Sequence, residues 1–126
     1  MAERIKRLPW FSIKLRRRVW NVYLVDRLPI EEATDGAYAC MWPNRQRIYI
    51  RVDQKLARIY ELLGHELLHA LSGGSPQTRG QRGAEEDFVE RCETHFWRLA
   101  AQFGAQPPAL PAGYQAFRRA CRKAAA

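Results

Sequence analysis

Apolar positions change period along the chain, and each change marks an element. Val19-Trp20-Asn21-Val22-Tyr23-Leu24-Val25 is dense in β-branched and aromatic residues and reads as a strand. Pro29 closes it, and Asp35-Gly36 is a turn signal. Residues 37–41 read as a second, short strand, followed by a turn at Pro43-Asn44-Arg45. From Arg47 to Val52 the alternation is strict: Ile48, Ile50 and Val52 face one way, and Arg47, Tyr49 and Arg51 face the other. Beyond Asp53, a residue suited to an N-cap, the period lengthens to that of a helix over residues 54–72. Leu56, Ile59, Leu63, Leu67 and Ala70 form its core stripe, Arg58, Leu62, His65 and His69 lie on a neighbouring stripe, and Gly73-Gly74 stops it. Residues 75–83 are a polar, glycine-rich loop. A second long helix is expected over about residues 84–103, with Phe88, Cys92, Phe96, Leu99 and Phe103 inward, and a short basic helix near residues 114–122. Trp10, Phe11, Ile13 and Leu15 fit either a short helix or an opening strand.

The pattern predicts an α+β fold, a small three-stranded antiparallel sheet packed on two long helices. A basic segment (1–18) precedes the domain (19–104), and a proline-containing basic tail (105–126) follows it. With 126 residues, 47% of them apolar, the chain has enough material for one modest core. It contains neither an apolar run long enough to span a membrane nor the apolar stretch of a signal peptide, so no membrane contact is expected. Three scattered cysteines without a C-x-x-C pair suggest a reduced, cytoplasmic chain and not a disulfide framework. The net charge of +8 gathers at the two ends, in Arg4, Lys6, Arg7, Lys14, Arg16, Arg17 and Arg18, and again in Arg118, Arg119, Arg122 and Lys123. Basic termini of this kind imply weak contact with nucleic acid or an acidic partner, although no known recognition motif accompanies them.

The candidate chemistry lies in the first helix, at His65-Glu66-Leu67-Leu68-His69. Histidines four apart project from one helix face and can share a metal ion, and the intervening glutamate can serve as general base toward a metal-held water. A catalytic zinc takes three protein ligands. The continuation with a third histidine six residues on fails, because Ser72 and Ser75 stand where its glycine and histidine would be. The acidic opening of the second helix supplies the best candidate: Glu86 as ligand with Glu90, one turn on, as the acid that hydrogen-bonds a ligand histidine, and Glu85 or Glu90 as alternative ligands. His95 lies nine residues beyond Glu86, about two and a half turns, so the two cannot easily reach one ion.

With His-Glu-Leu-Leu-His-Ala on one helix and Glu-Glu-x-x-Val-Glu opening the next, residues 19–104 resemble the minimal gluzincin-like HExxH zincin domains of phage and prophage proteins, which are related to the ImmA/IrrE-type metallopeptidases. The chain lacks the E-x-x-A-N-x-F-A sequence usual in ImmA-type proteins, and it has no third histidine soon after the motif as SprT-like sites do. The resemblance implies a zincin-like fold and a Zn2+-dependent peptidase. Such an enzyme hydrolyses a protein or peptide through a zinc-bound water, with Glu66 as general base. In such proteases the substrate often adds as a strand at the sheet edge, and Arg47–Val52 is the strand nominated for that pairing. The alternative is a non-catalytic metal-binding module for phage or prophage interaction or assembly.

Overall fold

The basic opening segment becomes a strand because its apolar residues alternate, with one interruption. In the computed structural model, which describes residues 5–28, 38–42, 45–71, 86–92 and 94–125, β1 (Arg7–Leu15) pairs antiparallel with β2 (Arg18–Val25). The register shifts between Pro9 and Phe11, where one extra residue is accommodated as in a bulge. Leu8 and Trp10 before the shift therefore face the same core as Phe11, Ile13 and Leu15 after it. Pro9 has no N–H to donate and is tolerated because β1 is an edge strand. The connecting turn places Arg16 and Arg17 at φ of 50° and 69°, the left-handed pair that a two-residue type I′ turn demands.

The sheet has four strands and is mixed, which corrects the expected three-stranded antiparallel arrangement. β3 (Ala39–Trp42) and β4 (Arg47–Arg51) pair antiparallel, and β4 lies parallel to β2, giving the order β1-β2-β4-β3. Alternation in β4 determines which side chains face which layer, but it does not determine which strand lies beside it. The facing is as expected: Ile48, Ile50 and Val52 enter the main core, and Tyr49 enters a smaller cluster with Val25, Leu28 and Cys40.

Helix α1 (Leu56–Leu71) packs on β3 and β4. It begins two residues later than the sequence suggests. The Lys55 carbonyl accepts the N–H groups of Arg58 (2.9 Å) and Ile59 (3.1 Å), while the Asp53 carboxylate accepts from Arg51 Nε (3.1 Å) and Gln54 Nε2 (3.0 Å) and does not cap. Ile59, Leu62, Leu63, Leu67 and Ala70 are buried against the sheet, and Leu56 stays exposed. The glycine pair expected to stop the helix lies outside the described residues, as do the turn at Asp35-Gly36 and the 75–83 loop.

The expected second long helix is two short ones, α2 (residues 86–92) and α3 (Phe96–Gln102), with a turn at residues 94–95. The turn re-aims the helix, so the predicted stripe does not line up. Phe88 and Leu99 are exposed, Phe103 is 83% exposed, and Val89 is fully buried in their place. Gly104, at φ 81°, takes the left-handed position that follows α3. The proline-containing stretch is fixed to the body by two hydrogen bonds: Trp10 Nε1 donates to the Ala109 carbonyl (2.8 Å), and the Tyr60 hydroxyl donates to the Pro108 carbonyl (2.6 Å). Helix α4 (Tyr114–Ala125) follows, with Tyr114 and Cys121 in the main core. Among the described residues no helix is long and apolar enough to cross a membrane.

Candidate metal centre

Helical periodicity builds the first half of the site. His65 and His69 stand one turn apart on α1, with ring centroids 4.9 Å apart. Leu63, Leu67 and Ala70 on the adjacent stripe are buried in the core, so packing of the helix fixes the rotation that presents both imidazoles together. Their side chains are 15% exposed each.

The second half comes from α2. Glu86 Oε1 lies 3.0 Å from His65 Nε2, and Glu86 Oε2 lies 2.8 Å from His69 Nε2. Ligand atoms of His65, His69 and Glu86 all fall within 4.8 Å of one another, close enough to hold a metal ion, and this is the one such group among the described residues. A carboxylate only accepts hydrogen bonds, so each short N···O contact needs a positive centre between the two atoms, either a proton on the imidazole or a metal ion. Two ligand atoms of a tetrahedral zinc stand about 3.3 Å apart, and the observed separations are a few tenths of an ångström shorter. Two imidazoles and one carboxylate form the three-ligand set that a catalytic zinc takes, with a position left for water. The Glu86 side chain is 44% exposed, which leaves the cluster open to solvent on the α2 side.

Glu66 is the one buried charged residue among those described, at 6% exposure. A carboxylate in such a place is costly unless it is hydrogen-bonded, and no buried side-chain polar atom among the described residues lacks a partner.

The choice among the three glutamates depends on which residue anchors α2. Val89 is buried, and Glu86, three residues before it, shares its helix face. Had Phe88 been the anchor, as its size suggests, the same spacing would have presented Glu85, which lies outside the described residues. Glu90 is exposed on α2 and does not belong to the metal-competent group. His95 is exposed and opens α3, where its carbonyl accepts the Leu99 N–H at 2.9 Å, and it too is outside the group.

Two structural features of the site escaped the sequence. The strand nominated to pair with a substrate, Arg47–Val52, is interior: β4 is flanked by β2 and β3, so among the described residues β3 is the edge strand, and α1 packs on it. The Tyr38 carbonyl accepts the Arg51 N–H at 2.8 Å, and the 39↔50 register then turns the backbone groups of Ala39 and Met41 away from β4, toward the open side. The other feature is Gly64, directly before His65. A Cβ there would meet Phe96 Cδ1 at 3.1 Å and its Cβ and Cγ at 3.2 Å, so α3 approaches α1 at a residue without a side chain. A glycine inside a strongly periodic helix was the available signal for that approach.

In comparison with known proteins, no family model, no curated protein and no solved structure matches the chain.

Proposed function

We propose that the chain is a zinc-dependent peptidase of the minimal zincin kind, with His65, His69 and Glu86 as ligands and Glu66 as general base. The observation that carries this reading is a metal-competent His-His-Glu cluster together with a buried carboxylate, Glu66, at the residue that follows His65 in sequence. A purely structural site has no use for Glu66, whereas hydrolysis needs a proton acceptor beside the metal. A zinc ion bound at the cluster supplies a Lewis acid that acidifies water and polarises a carbonyl oxygen. Glu66 accepts the proton of the attacking water and returns it to the leaving amine. The glutamate's burial keeps bulk water away from that transfer. The peptide lies extended along β3 and pairs with the outward backbone groups of Ala39 and Met41, which brings its carbonyls past α1.

Metal analysis of the wild-type protein beside three variants tests the reading. His65→Ala and Glu86→Ala lose zinc, whereas Glu66→Gln keeps stoichiometric zinc and loses peptide hydrolysis by ~100-fold or more. A wild type that takes up no zinc overturns the site. Full zinc and full activity in Glu86→Ala overturn the ligand assignment. A zinc-loaded wild type that cleaves no peptide in a broad library leaves the non-catalytic assembly module as the correct reading.

A further inference from the structure

The three ligands differ in how firmly their own element holds them. His65 and His69 stand on α1, whose buried stripe locks its rotation. The Glu86 side chain is 44% exposed, and among the described residues Val89 is the one buried side chain of α2. One buried side chain fixes a point on a short helix but leaves the helix free to turn about it. A metal site tolerates displacements of only about 0.5 Å, so a second point of attachment is needed. The next element supplies it. No residue of α3 is fully buried, and its contribution to the main core is Phe96 and Trp97, at the end nearer α2. Both seat on the backbone of α1. Phe96 packs where Gly64 has no side chain, with its Cβ, Cγ and Cδ1 at 3.1–3.2 Å from the place a Cβ would take. Trp97 Nε1 donates to the Tyr60 carbonyl at 2.7 Å. In a helix each side chain leans over the turn before it. The glycine at 64 therefore also leaves the Tyr60 carbonyl uncovered for a second donor. Tyr60 is itself fixed, with its ring edge-on to Trp10 at 5.5 Å and its hydroxyl donating to the Pro108 carbonyl at 2.6 Å. Phe96 and Trp97 brace each other edge-on, with ring centroids 4.7 Å apart.

We infer that Phe96 and Trp97 are positioning residues of the metal centre: seated on the turn from Tyr60 to Gly64, they hold the α2–α3 arm against α1 and so set where the Glu86 carboxylate meets His65 and His69. This rests on the ligand set proposed above and asks nothing of Glu66 or of hydrolysis. The seat directly precedes His65 in the chain, so the arm takes its reference from the same stretch of helix that carries the histidines. A shift of α1 then moves all three ligands together. Phe96 lies ten residues beyond Glu86 (96 − 86), and with Val89 between them the arm is fixed at a middle point and at its far end. That removes the rotation that would swing Glu86 off the histidines. Partners of this kind, which touch no metal but orient a ligand, govern metal affinity by about 10–100-fold.

Zinc dissociation constants of the full chain, read by competition with a chromophoric chelator at a temperature where circular dichroism shows every variant folded, test it. Phe96→Ala weakens zinc binding by about tenfold or more. Phe96→Leu keeps a Cβ, Cγ and Cδ1 for the contact with Gly64 and restores the affinity. In the Glu86→Ala background, where only the histidines bind, Phe96→Ala changes the affinity by less than about twofold, because the group it positions is gone. A merely structural role predicts the same loss in both backgrounds. The visible absorption of the cobalt-loaded protein gives a second readout: the Phe96→Ala spectrum moves toward that of Glu86→Ala, and the Phe96→Leu spectrum stays with wild type. Should Phe96→Ala fail to fold, Trp97→Leu, which removes the donor to Tyr60, carries the same cycle. Wild-type affinity in Phe96→Ala and Trp97→Leu, beside a weakened Glu86→Ala, overturns the positioning role and leaves the ligand set standing. Equal losses with and without Glu86 do the same. A Glu86→Ala variant that binds zinc as tightly as wild type overturns the ligand set and the positioning role together.

Discussion

Tyr60 and Cys121 show how burial acts on single acid groups in this molecule. Desolvation pushes the Tyr60 hydroxyl above its ordinary 10.0, with the neighbouring Tyr114 adding to the effect. Desolvation likewise pushes the Cys121 thiol above its ordinary 9.0, reinforced by Asp26 and partly opposed by Lys6. Both groups are neutral when protonated and both are held protonated by the fold. Below pH 9 the folded and unfolded chains carry these protons equally. Above it the unfolded chain releases them first, so stability falls as pH rises toward and through the folded values. Melting followed from pH 8 to pH 10.5 therefore shows a decline beginning near pH 9, and Cys121→Ala, though less stable at pH 8, declines less steeply from there. Cys121 also resists alkylation until the chain is unfolded, because its thiolate is scarce and its sulfur is covered. An alkylation rate for Cys121 equal in native and denaturing buffer would refute that account. At this same scale the candidate site was largely legible. His65 and His69 announce themselves by their spacing alone, because a helix converts four residues into one turn. Glu86 was legible as one of three acids, but its register was not fixed, because it depends on Val89 being buried and the larger Phe88 exposed, which the local pattern does not announce.

At the scale of elements, Gly64 offers the sharpest test. In an isolated helix, replacing glycine with alanine gains about 1 kcal/mol. Here the added methyl would press on the root of the Phe96 side chain, at its Cβ and Cγ, which rotation of the ring cannot move aside. Phe96 in turn stacks edge-on against Trp97, whose indole N–H donates to the Tyr60 carbonyl at 2.7 Å. Overpacking of this kind costs about 1–3 kcal/mol. Gly64→Ala is therefore expected to lower stability by about 1 kcal/mol net and to reduce zinc affinity, since His65 is the next residue. Urea titration and zinc competition together check this, and a variant more stable than wild type would show that α3 yields freely. What the sequence concealed at this scale has physical causes. The bulge in β1 shifts the apolar residues from even to odd numbers, which breaks the period of two that marks a strand. The turn at Thr94-His95 that precedes α3 contains no glycine or proline, so local propensity gave no warning. The parallel pairing of β2 with β4 depends on how the β3–β4 hairpin docks, and no local pattern encodes docking.

For the molecule as a whole, the His65, His69 and Glu86 cluster would act as a clamp once it held a metal ion. His69 and Glu86 are 17 residues apart (86 − 69), on helices that belong to different parts of the fold. On α2, Val89 is buried and its larger neighbour Phe88 is exposed. A zinc ion shared by His65, His69 and Glu86 closes that stretch of chain as a cross-link would, and it binds the folded chain far better than the unfolded one. At free zinc one hundred times the dissociation constant, the folded state gains about 2.7 kcal/mol. For a domain of this size that corresponds to a rise in melting temperature of about 10 °C, which EDTA reverses. Glu86→Ala removes most of the rise, because the two histidines alone sit on one helix and tie nothing together. Under the proposed function Glu66→Gln keeps the rise, because that reading gives it proton transfer and not ligation. The pair of variants thus separates holding the metal from using it, by calorimetry alone and without knowledge of the substrate. A zinc-induced rise in Glu86→Ala as large as in wild type would move the third ligand elsewhere. A rise lost in Glu66→Gln would make Glu66 a part of the clamp and remove the basis for assigning it the proton.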